Sequence, residues 1–359
     1  MTTSAEQTVP MSVADARAQF EPVPGYLNAA SMGLPTTGVL AALQDALDEW
    51  RRGRATPGRY DVAVAESRRL YAGLVGVDPA RVAVGSQVSV LAGLVASSLP
   101  DGAEVLCVDG DFTSVIFPFL VHADRGVTVR HVPLERLAEE VRPSTDLVAF
   151  SLAMSACGTV VDGDAVAEAA DEAGAATLCD LTQAVGWMPV DASRFDVTIC
   201  SAYKWLCSPR GSAFATISER AAGWLRPTSA GWYAGDDVWD SIYGPRMRLA
   251  QDARRFDVSP AWLSWVGTVP ALRLFAALDP AEVRAYDAAL ADRLREGLGL
   301  APAGRAVVSL PDPDGDRQAR LERAGAVVAA RAGSVRIAFH LWNDEDDVRL
   351  VLDALATPA

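Results

Sequence analysis

The residues best suited to chemistry lie where two short apolar runs of the sequence end. The run 175–179 is followed by Asp180 and, about one helical turn later, by Gln183. The run 197–200 leads, a few residues on, to Lys204. Both runs have the length and composition of buried strands, and ligands bind at the carboxyl edge of an open α/β sheet. We therefore expect these polar side chains to meet at such an edge.

Lys204 and Asp180 could together support covalent chemistry at an amine. Tyr203 and Trp205 flank Lys204, and an apolar setting favours the neutral, nucleophilic form of a lysine by desolvation. A lysine that forms a Schiff base needs this form, and an acid can hold a pyridinium nitrogen in its protonated state. This pair is expected for pyridoxal phosphate (PLP). Taken singly, a solvated strand-end lysine and a helix N-cap explain the two residues more simply, so the interpretation depends on the whole stretch.

The whole stretch resembles the class V aminotransferase family of PLP enzymes. It reads D-x-x-Q, then an acid-bearing loop, then S-x-[HY]-K-W-L-x-x-P-x-G. The family has the aspartate aminotransferase-like fold (fold type I) and includes cysteine desulfurases, kynureninase and isopenicillin epimerase-type enzymes. The resemblance extends from about Tyr26 to Leu355. It implies an α/β protein with a mostly parallel central sheet in a large domain and a smaller α+β C-terminal domain.

The resemblance implies a role for each residue of the central motif. Lys204 would form the Schiff base (an aldimine) with PLP, and Asp180 would contact the ring nitrogen. Gln183 would donate to the ring hydroxyl. Ser201 and Tyr203 would contact the phosphate. Lys204 and Asp180 are thus the predicted catalytic residues.

A further anion site is predicted at the start of an apolar helix. Gln87, Val88 and Ser89 follow a strand and open this helix, where free N–H groups and the helix dipole favour phosphate. The family places the PLP phosphate here, although a plain N-cap serine is the alternative. Phe112 stands where desulfurases have a histidine; it could stack on the pyridine ring but cannot carry a proton. Ser259 either replaces a family threonine that binds phosphate from the other subunit, or that contact is absent.

Substrate contacts are predicted on three segments. The segment around Asn28, Ala29 and Ser31 resembles the family segment that lies near the substrate. Ser155 stands where many members have an asparagine, so it is kept only as a possible contact. Arg336 falls on an apolar strand, where a buried arginine is unfavourable unless it is paired. A substrate α-carboxylate would be a bidentate partner, whereas a structural ion pair with an internal acid is the alternative.

The remaining pattern gives the organisation of the chain. Strands alternate with helices, including a predicted helix at 134–141, which indicates a parallel sheet with helices on both faces. We predict an N-terminal arm and substrate-side segment at 1–36, a large PLP-binding domain at 37–245 and a small domain at 246–359. His340 is interpreted as structural.

Composition limits the partners. The net charge of −14 argues against nucleic acid. The five cysteines and three histidines have no metal-site spacing, so no metal is expected. Cysteines within apolar runs suggest free thiols of a cytoplasmic protein, and neither a signal peptide nor a membrane span is predicted. The family implies a homodimer with a shared active site.

These observations predict a PLP enzyme acting on an α-amino acid, by transamination or by β-elimination of the carbon–sulfur lyase type. The sequence does not choose between them. A cysteine desulfurase is disfavoured because no cysteine follows Cys207 and because Phe112 replaces histidine. An epimerase-like relative and a non-catalytic protein of the same fold are further alternatives. A nucleotide-binding α/β protein is disfavoured by the absence of a glycine-rich phosphate loop.

Overall fold

The computed structural model describes residues 11–356, and its main sheet has seven strands. They are β1 (Val82–Gly85), β2 (Glu104–Val108), β3 (Thr128–Val132), β4 (Leu147–Ser151), β5 (Ala176–Asp180), β6 (Val197–Ser201) and β7 (Ala213–Ile217). Their spatial order is β1-β7-β6-β5-β4-β2-β3. All neighbouring pairs from β3 to β6 are parallel, while β7 runs antiparallel to both β6 and β1. The predicted mostly parallel sheet is confirmed.

Helices cover both faces of this sheet. Within the described residues the α-helices are α1 (Val13–Arg17), α2 (Thr37–Arg51), α3 (Pro57–Leu74), α4 (Val88–Ser98), α5 (Thr113–Leu120), α6 (Gly163–Ala173), α7 (Glu219–Trp224), α8 (Trp262–Ala276), α9 (Pro280–Gly297), α10 (Asp316–Arg323) and α11 (Glu345–Ala356). Successive strand residues belong to different cores: Val148 packs in one core with α3 and α6, and Leu147 packs in another with α4 and α5. Side chains that alternate between two buried faces explain the continuous apolar runs.

The predicted helix at 134–141 is wrong. The chain forms only a short 3-10 turn at Leu134–Arg136. Arg130 donates to the backbone carbonyl of Glu140 and also pairs with its carboxylate. These tertiary contacts to β3 hold the end of the segment, and its helical pattern is too short to compete with them.

A second, antiparallel sheet lies in the C-terminal part. It consists of β8 (Val307–Pro311), β9 (Ala329–Arg331) and β10 (Ser334–Ala338) in the order β8-β10-β9. Its core includes side chains of α9, α10 and α11 and also Leu27, because residues 26–28 run beside the sheet. This gives the predicted smaller α+β unit, while the exact domain boundaries stay a prediction, and residues 1–10 and 357–359 lie outside the described residues.

Neither a membrane span nor a metal-ligand cluster is found in the described residues. Among residues 11–356, no helix is both long and apolar enough to cross a bilayer. In the same part of the chain, no group of three or more histidine, cysteine or acidic side chains is arranged to hold a metal ion.

Candidate active site

The polar residues predicted at strand ends do meet at one edge of the sheet. Ser151, Asp180 and Ser201 are the last residues of the neighbouring parallel strands β4, β5 and β6. Ser151 and Asp180 are also direct partners in the strand register. Because these strands are parallel, their carboxyl ends lie side by side, and the loop after β6 brings Lys204 to the same edge.

Lys204 is buried, and its amine has no hydrogen bond or ion pair within the described residues. Its Nζ lies 5.2 Å from the centre of the Phe112 ring and 5.8 Å from that of Tyr203. Burial lowers the pKa of Lys204 to about 8; Asp180 opposes this shift, and Arg336 adds to it. The amine is therefore available in its neutral form near physiological pH.

Lys204 is also the only lysine among the 359 residues, against 31 arginines. This count is a signal independent of the motif that surrounds the lysine. A chain that uses arginine at every other cationic position keeps a single side-chain amine, and it places that amine at the carboxyl edge of the sheet. Lysine differs from arginine in that its pKa can fall far enough for nucleophilic or base chemistry.

The single lysine makes its pKa directly measurable. We expect acetylation of Lys204 by acetic anhydride in the cofactor-free protein to rise about tenfold per pH unit and to level off near pH 8, because only the neutral amine reacts. Mass spectrometry of the one lysine-containing peptide gives the rate. The same peptide in guanidinium chloride is the control and should level off above pH 10, where an ordinary lysine titrates. Identical profiles in both conditions would contradict the shift.

Asp180 is buried at the end of β5. One carboxylate oxygen accepts the Thr182 backbone N–H at 2.8 Å, and the side chain of Thr182 also interacts with the carboxylate. Burial raises the pKa of Asp180 to about 6, while the bonds from Thr182 and the charge of Lys204 oppose the increase. Thr182 also ties the two strand ends together, since its Oγ accepts the Ser201 N–H at 3.0 Å.

Gln183 holds the loop that carries the lysine. Its Oε1 accepts the indole N–H of Trp205 at 2.7 Å, and because this N–H can only donate, the orientation of the amide is fixed. The amide nitrogen donates to the Ala30 carbonyl at 3.0 Å and to Ser155 Oγ at 3.1 Å. Both amide hydrogens thus have acceptors here. Donation to a cofactor hydroxyl would require exchange of one of these bonds and stays a prediction.

The start of α4 offers the predicted anion site. Gln87 is the N-cap residue, but its side chain makes no capping bond. In the described part of the chain, the backbone N–H groups of Val88 and Ser89 also have no acceptor. Four N–H groups at a helix start lack intrahelical partners, and the helix dipole adds positive potential there. Unpaired donors at the start of a helix are suited to a phosphate.

The other predicted phosphate contacts differ in position. Ser201 ends β6, which packs against α4. The centre of the Tyr203 ring lies 5.8 Å from Lys204 Nζ and 5.0 Å from the guanidinium carbon of Arg210. Ser259 is exposed and follows Asp257, a buried acid that pairs with Arg68. The roles of Ser201, Tyr203 and Ser259 stay predictions.

Phe112 is held in place by a residue that the sequence analysis misses. Asp111 is buried and accepts the Ser151 N–H at 2.8 Å, the Ser151 hydroxyl at 2.6 Å and the Phe112 N–H at 2.6 Å. Burial raises the pKa of Asp111, and these bonds oppose the increase. Asp111 thus fixes the loop before α5 to the end of β4, and the aromatic ring remains partly exposed above the lysine amine.

Arg336 lies on β10 with 1% of its surface exposed. Its guanidinium donates to the Ser155 carbonyl and to Ser31 Oγ, the latter at 2.7 Å, while its Nε has no acceptor. No acid pairs with it in the described part of the chain, so the alternative of an internal ion pair finds no support there. Burial lowers the pKa of Arg336 to about 10, and the charge of Arg331 adds to the decrease.

The N-terminal segment lies between Arg336 and Lys204. Among residues 11–356, the buried Asn28 Oδ1 has no hydrogen-bond partner. Ala29 is wholly buried in the core, which argues against a substrate contact by its side chain. Gly33, which the sequence analysis does not single out, donates its N–H to the Tyr203 carbonyl at 2.9 Å. A Cβ on Gly33 would overlap the carbonyl oxygen of Lys204, so only glycine permits this approach.

His340 has the structural surroundings that the sequence analysis expects. Its Nδ1 lies 2.8 Å from Asp287 Oδ2, and its Nε2 lies 2.9 Å from the Trp205 carbonyl oxygen. Burial lowers the pKa of His340, but the Asp287 carboxylate outweighs this effect and raises it to about 10. A carbonyl only accepts, so Nε2 donates to Trp205, the residue after Lys204. The Asp287–His340 pair therefore holds the lysine loop in place through the Trp205 carbonyl.

The chain is similar to known proteins over most of its length. Residues 83–322 match the family described as Aminotransferase class-V. The chain is 28% identical over 310 residues to the uncharacterized aminotransferase YcbU of Bacillus subtilis, covering 81% of this chain and 82% of YcbU. It is also 28% identical over 338 residues to isopenicillin N epimerase of Streptomyces clavuligerus, covering 81% of this chain and 83% of the epimerase.

Solved structures share the fold. A structure of C-DES with glycine covalently linked to its PLP cofactor superposes with a TM-score of 0.84 at 22% identity, covering 95% of this chain and 98% of C-DES. A complex of C-DES, described as a cystine C-S lyase, with its product cysteine persulfide gives a TM-score of 0.83 at 22% identity, covering 93% and 97%. At this identity the likeness establishes the fold alone.

Proposed function

The chain belongs to the class V aminotransferase family and is a PLP-dependent enzyme, and from this premise we propose that Lys204 is its cofactor lysine and that it acts on an α-amino acid. One observation carries the assignment. The only lysine of the chain is buried, has no partner for its amine among the described residues, and lies at the sheet edge near a buried acid.

The surrounding residues fit PLP group by group. The N–H groups of Val88 and Ser89 have no acceptor in the described structure and suit the phosphate. The buried carboxylate of Asp180 at the sheet edge suits a protonated ring nitrogen. The exposed part of Phe112 suits the flat face of the ring. Each of these groups therefore offers an interaction that a part of the cofactor could make.

The proposed mechanism uses few residues. Bound PLP supplies an electron sink for a bond broken at the α-carbon of the amino acid. Asp180 holds a proton at the ring nitrogen, which keeps that sink effective. Arg336 binds the α-carboxylate and fixes the orientation of the substrate, with Ser31 beside it. Lys204, with its pKa near 8, takes the α-proton and can return it.

Two reactions are open once the α-proton has been removed. Return of the proton to the cofactor side gives transamination, and loss of a β-substituent gives elimination. Cysteine desulfurase chemistry is a weaker candidate, because it needs a nucleophilic cysteine on a loop in the C-terminal part and no cysteine follows Cys207. All five cysteines are free thiols, which fits a reducing, cytoplasmic location.

A homodimer with a shared site is part of the proposal. Phe112, Phe117 and Val121 expose apolar surface beside the site, and Ser259 is accessible to a second copy. Exposed apolar side chains grouped in this way are suited to protein contact.

The proposed function is tested by making three measurements on the same samples of purified protein. Visible absorbance of bound PLP is recorded before and after addition of an amino-acid panel that includes alanine and S-substituted cysteines. Pyruvate and pyridoxamine phosphate are then assayed. Pyruvate formed from the substituted cysteines with the cofactor band restored supports elimination, and stoichiometric pyridoxamine phosphate supports transamination. A protein with no cofactor band after PLP addition, or no reaction with any amino acid, would refute the proposed function.

A further inference from the structure

A second arginine, Arg331, lies beside the proposed carboxylate site. Arg331 Nη2 donates to Ser31 Oγ at 3.2 Å, and Arg336 Nη2 donates to the same oxygen at 2.7 Å. The two donating nitrogens are therefore within about 6 Å of each other, where like charges repel measurably even near a protein surface. Both lone pairs of the Ser31 hydroxyl are used, so its hydrogen is left to donate.

The strands hold Arg331 in this position. In the register of β9 and β10, Arg331 pairs with Ser334 and Arg336 pairs with Ala329. Directly paired residues point to the same face of an antiparallel pair, so the two arginines are diagonal neighbours on one face. The turn between the strands, Ala332 and Gly333, has positive φ at both residues, as a tight hairpin requires. Arg331 thus projects from a rigid element.

Nothing nearby neutralises this pair. Within residues 11–356, neither Arg331 nor Arg336 forms an ion pair with an acid. The charge of Arg331 also lowers the pKa of both Arg336 and Lys204, which shows that its field reaches the site. Like charges on one face of a sheet destabilise the fold unless a partner is present. An anion bound between the two guanidinium groups would relieve this repulsion.

We propose that Arg331 binds a second anionic group, carried on the side chain of the substrate, so that the substrate is an amino acid with a distal acid. This rests on the proposed function in one respect, the assignment of the α-carboxylate to Arg336. Arg336 is buried and Arg331 is exposed, so the substrate would extend from the interior of the site toward its mouth. An ordinary amino acid offers one carboxylate, which leaves the outer guanidinium without an anionic partner among the described residues.

The test compares acids with their uncharged amides. The kcat/KM of the PLP-loaded enzyme is measured for glutamate and glutamine, aspartate and asparagine, and S-carboxymethylcysteine and S-carbamoylmethylcysteine. The acid should be preferred in at least one pair by about tenfold, the typical effect of one charge-assisted hydrogen bond. Arg331→Gln should remove this preference by slowing the acid alone, and Arg331→Lys should keep part of it. Arg323→Gln, an exposed arginine on α10, is the matched control and should behave as the parent.

A second measurement separates this proposal from the proposed function. Calorimetry compares glutarate with butanoate, which have no amine and need no reaction with the cofactor. Glutarate should bind about tenfold more tightly, and Arg331→Gln should abolish the difference. Should the protein prove not to take up PLP, the function fails while this comparison still decides the role of Arg331. Equal binding of the two ligands, no acid preference in any amino-acid pair, or an Arg331→Gln effect equal for acid and amide would overturn the proposal.

Discussion

Lys204→Ala should lose turnover by at least about 10³-fold, because the variant would lack both the proposed cofactor amine and the proposed base for the α-proton; a positioned base alone contributes about 10² to 10⁴. The fold should survive, since the amine makes no hydrogen bond or ion pair in the described structure. Removal of a buried, unpaired charge is expected to leave the free energy of unfolding unchanged or to increase it. Circular dichroism and thermal unfolding check this point.

The single lysine gives this prediction a direct covalent readout. Reduction of the PLP-loaded parent with borohydride should attach the cofactor to one peptide, the one containing Lys204, and should attach none in Lys204→Ala. Lys204→Arg is the matched control that keeps positive charge, and it should be as inactive as alanine because guanidinium does not deprotonate in this range. Attachment of PLP elsewhere, or full turnover by either variant, would contradict the assignment.

Asp180→Asn is expected to lower kcat by about 10²-fold or more, which is the scale on which preorganised electrostatic partners act. A neutral amide cannot stabilise positive charge at a ring nitrogen as a buried carboxylate does. The pKa of Asp180, raised to about 6, still leaves the group mostly ionised at pH 7 to 8. We expect kcat of the parent to fall as the pH drops through about 6, since protonation of Asp180 has the same effect as the substitution.

Asp111→Asn is the control that tests whether loss of any buried acid near the strand ends has the same effect. Asp111 is also buried and near the strand ends, and the charges of both acids affect the buried thiol of Cys179. It contacts Ser151 and Phe112, however, and no residue assigned to the ring nitrogen. It should lower kcat less than Asp180→Asn does. If both variants keep parental kcat across the pH range, the role of Asp180 is refuted.

The parts of the fold and of the site that could be predicted are those determined by short sequence patterns. Five-residue apolar runs predict buried strands, and an acid or lysine at the end of such a run is placed by the parallel topology without knowledge of distant contacts. For this reason the location of Asp180 and Lys204 at one edge of the sheet could be predicted from the sequence. The helix at 134–141 failed for the opposite reason, since contacts to Arg130 outside the window decide its structure.

The residues that escaped prediction act through partners far along the chain. Asp111 contacts Ser151, which is 40 residues away. A structural role was expected for His340, but its contact with the Trp205 carbonyl, 135 residues away, was not. An acid after a strand, or a histidine near a C-terminal helix, can contact many different residues. Only the folded structure determines which residues these are. Arg331 is similar, because its sequence neighbours form no motif. Its proposed role depends on the hydrogen bonds that it and Arg336 both donate to Ser31.

The segment at 26–33 has a consequence for motion. Leu27 exchanges hydrogen bonds with the small sheet, donating to Val327 at 3.0 Å and accepting from Ala338 at 2.9 Å, while Gly33 is bonded to Tyr203. A rotation of the small sheet therefore cannot occur without stretching these bonds or pulling the lysine loop with it. If a rotation of the small sheet brings Arg336 onto a ligand, these bonds would transmit the rotation to the loop that carries Lys204, so that binding of the ligand would be coupled to alignment of the amine.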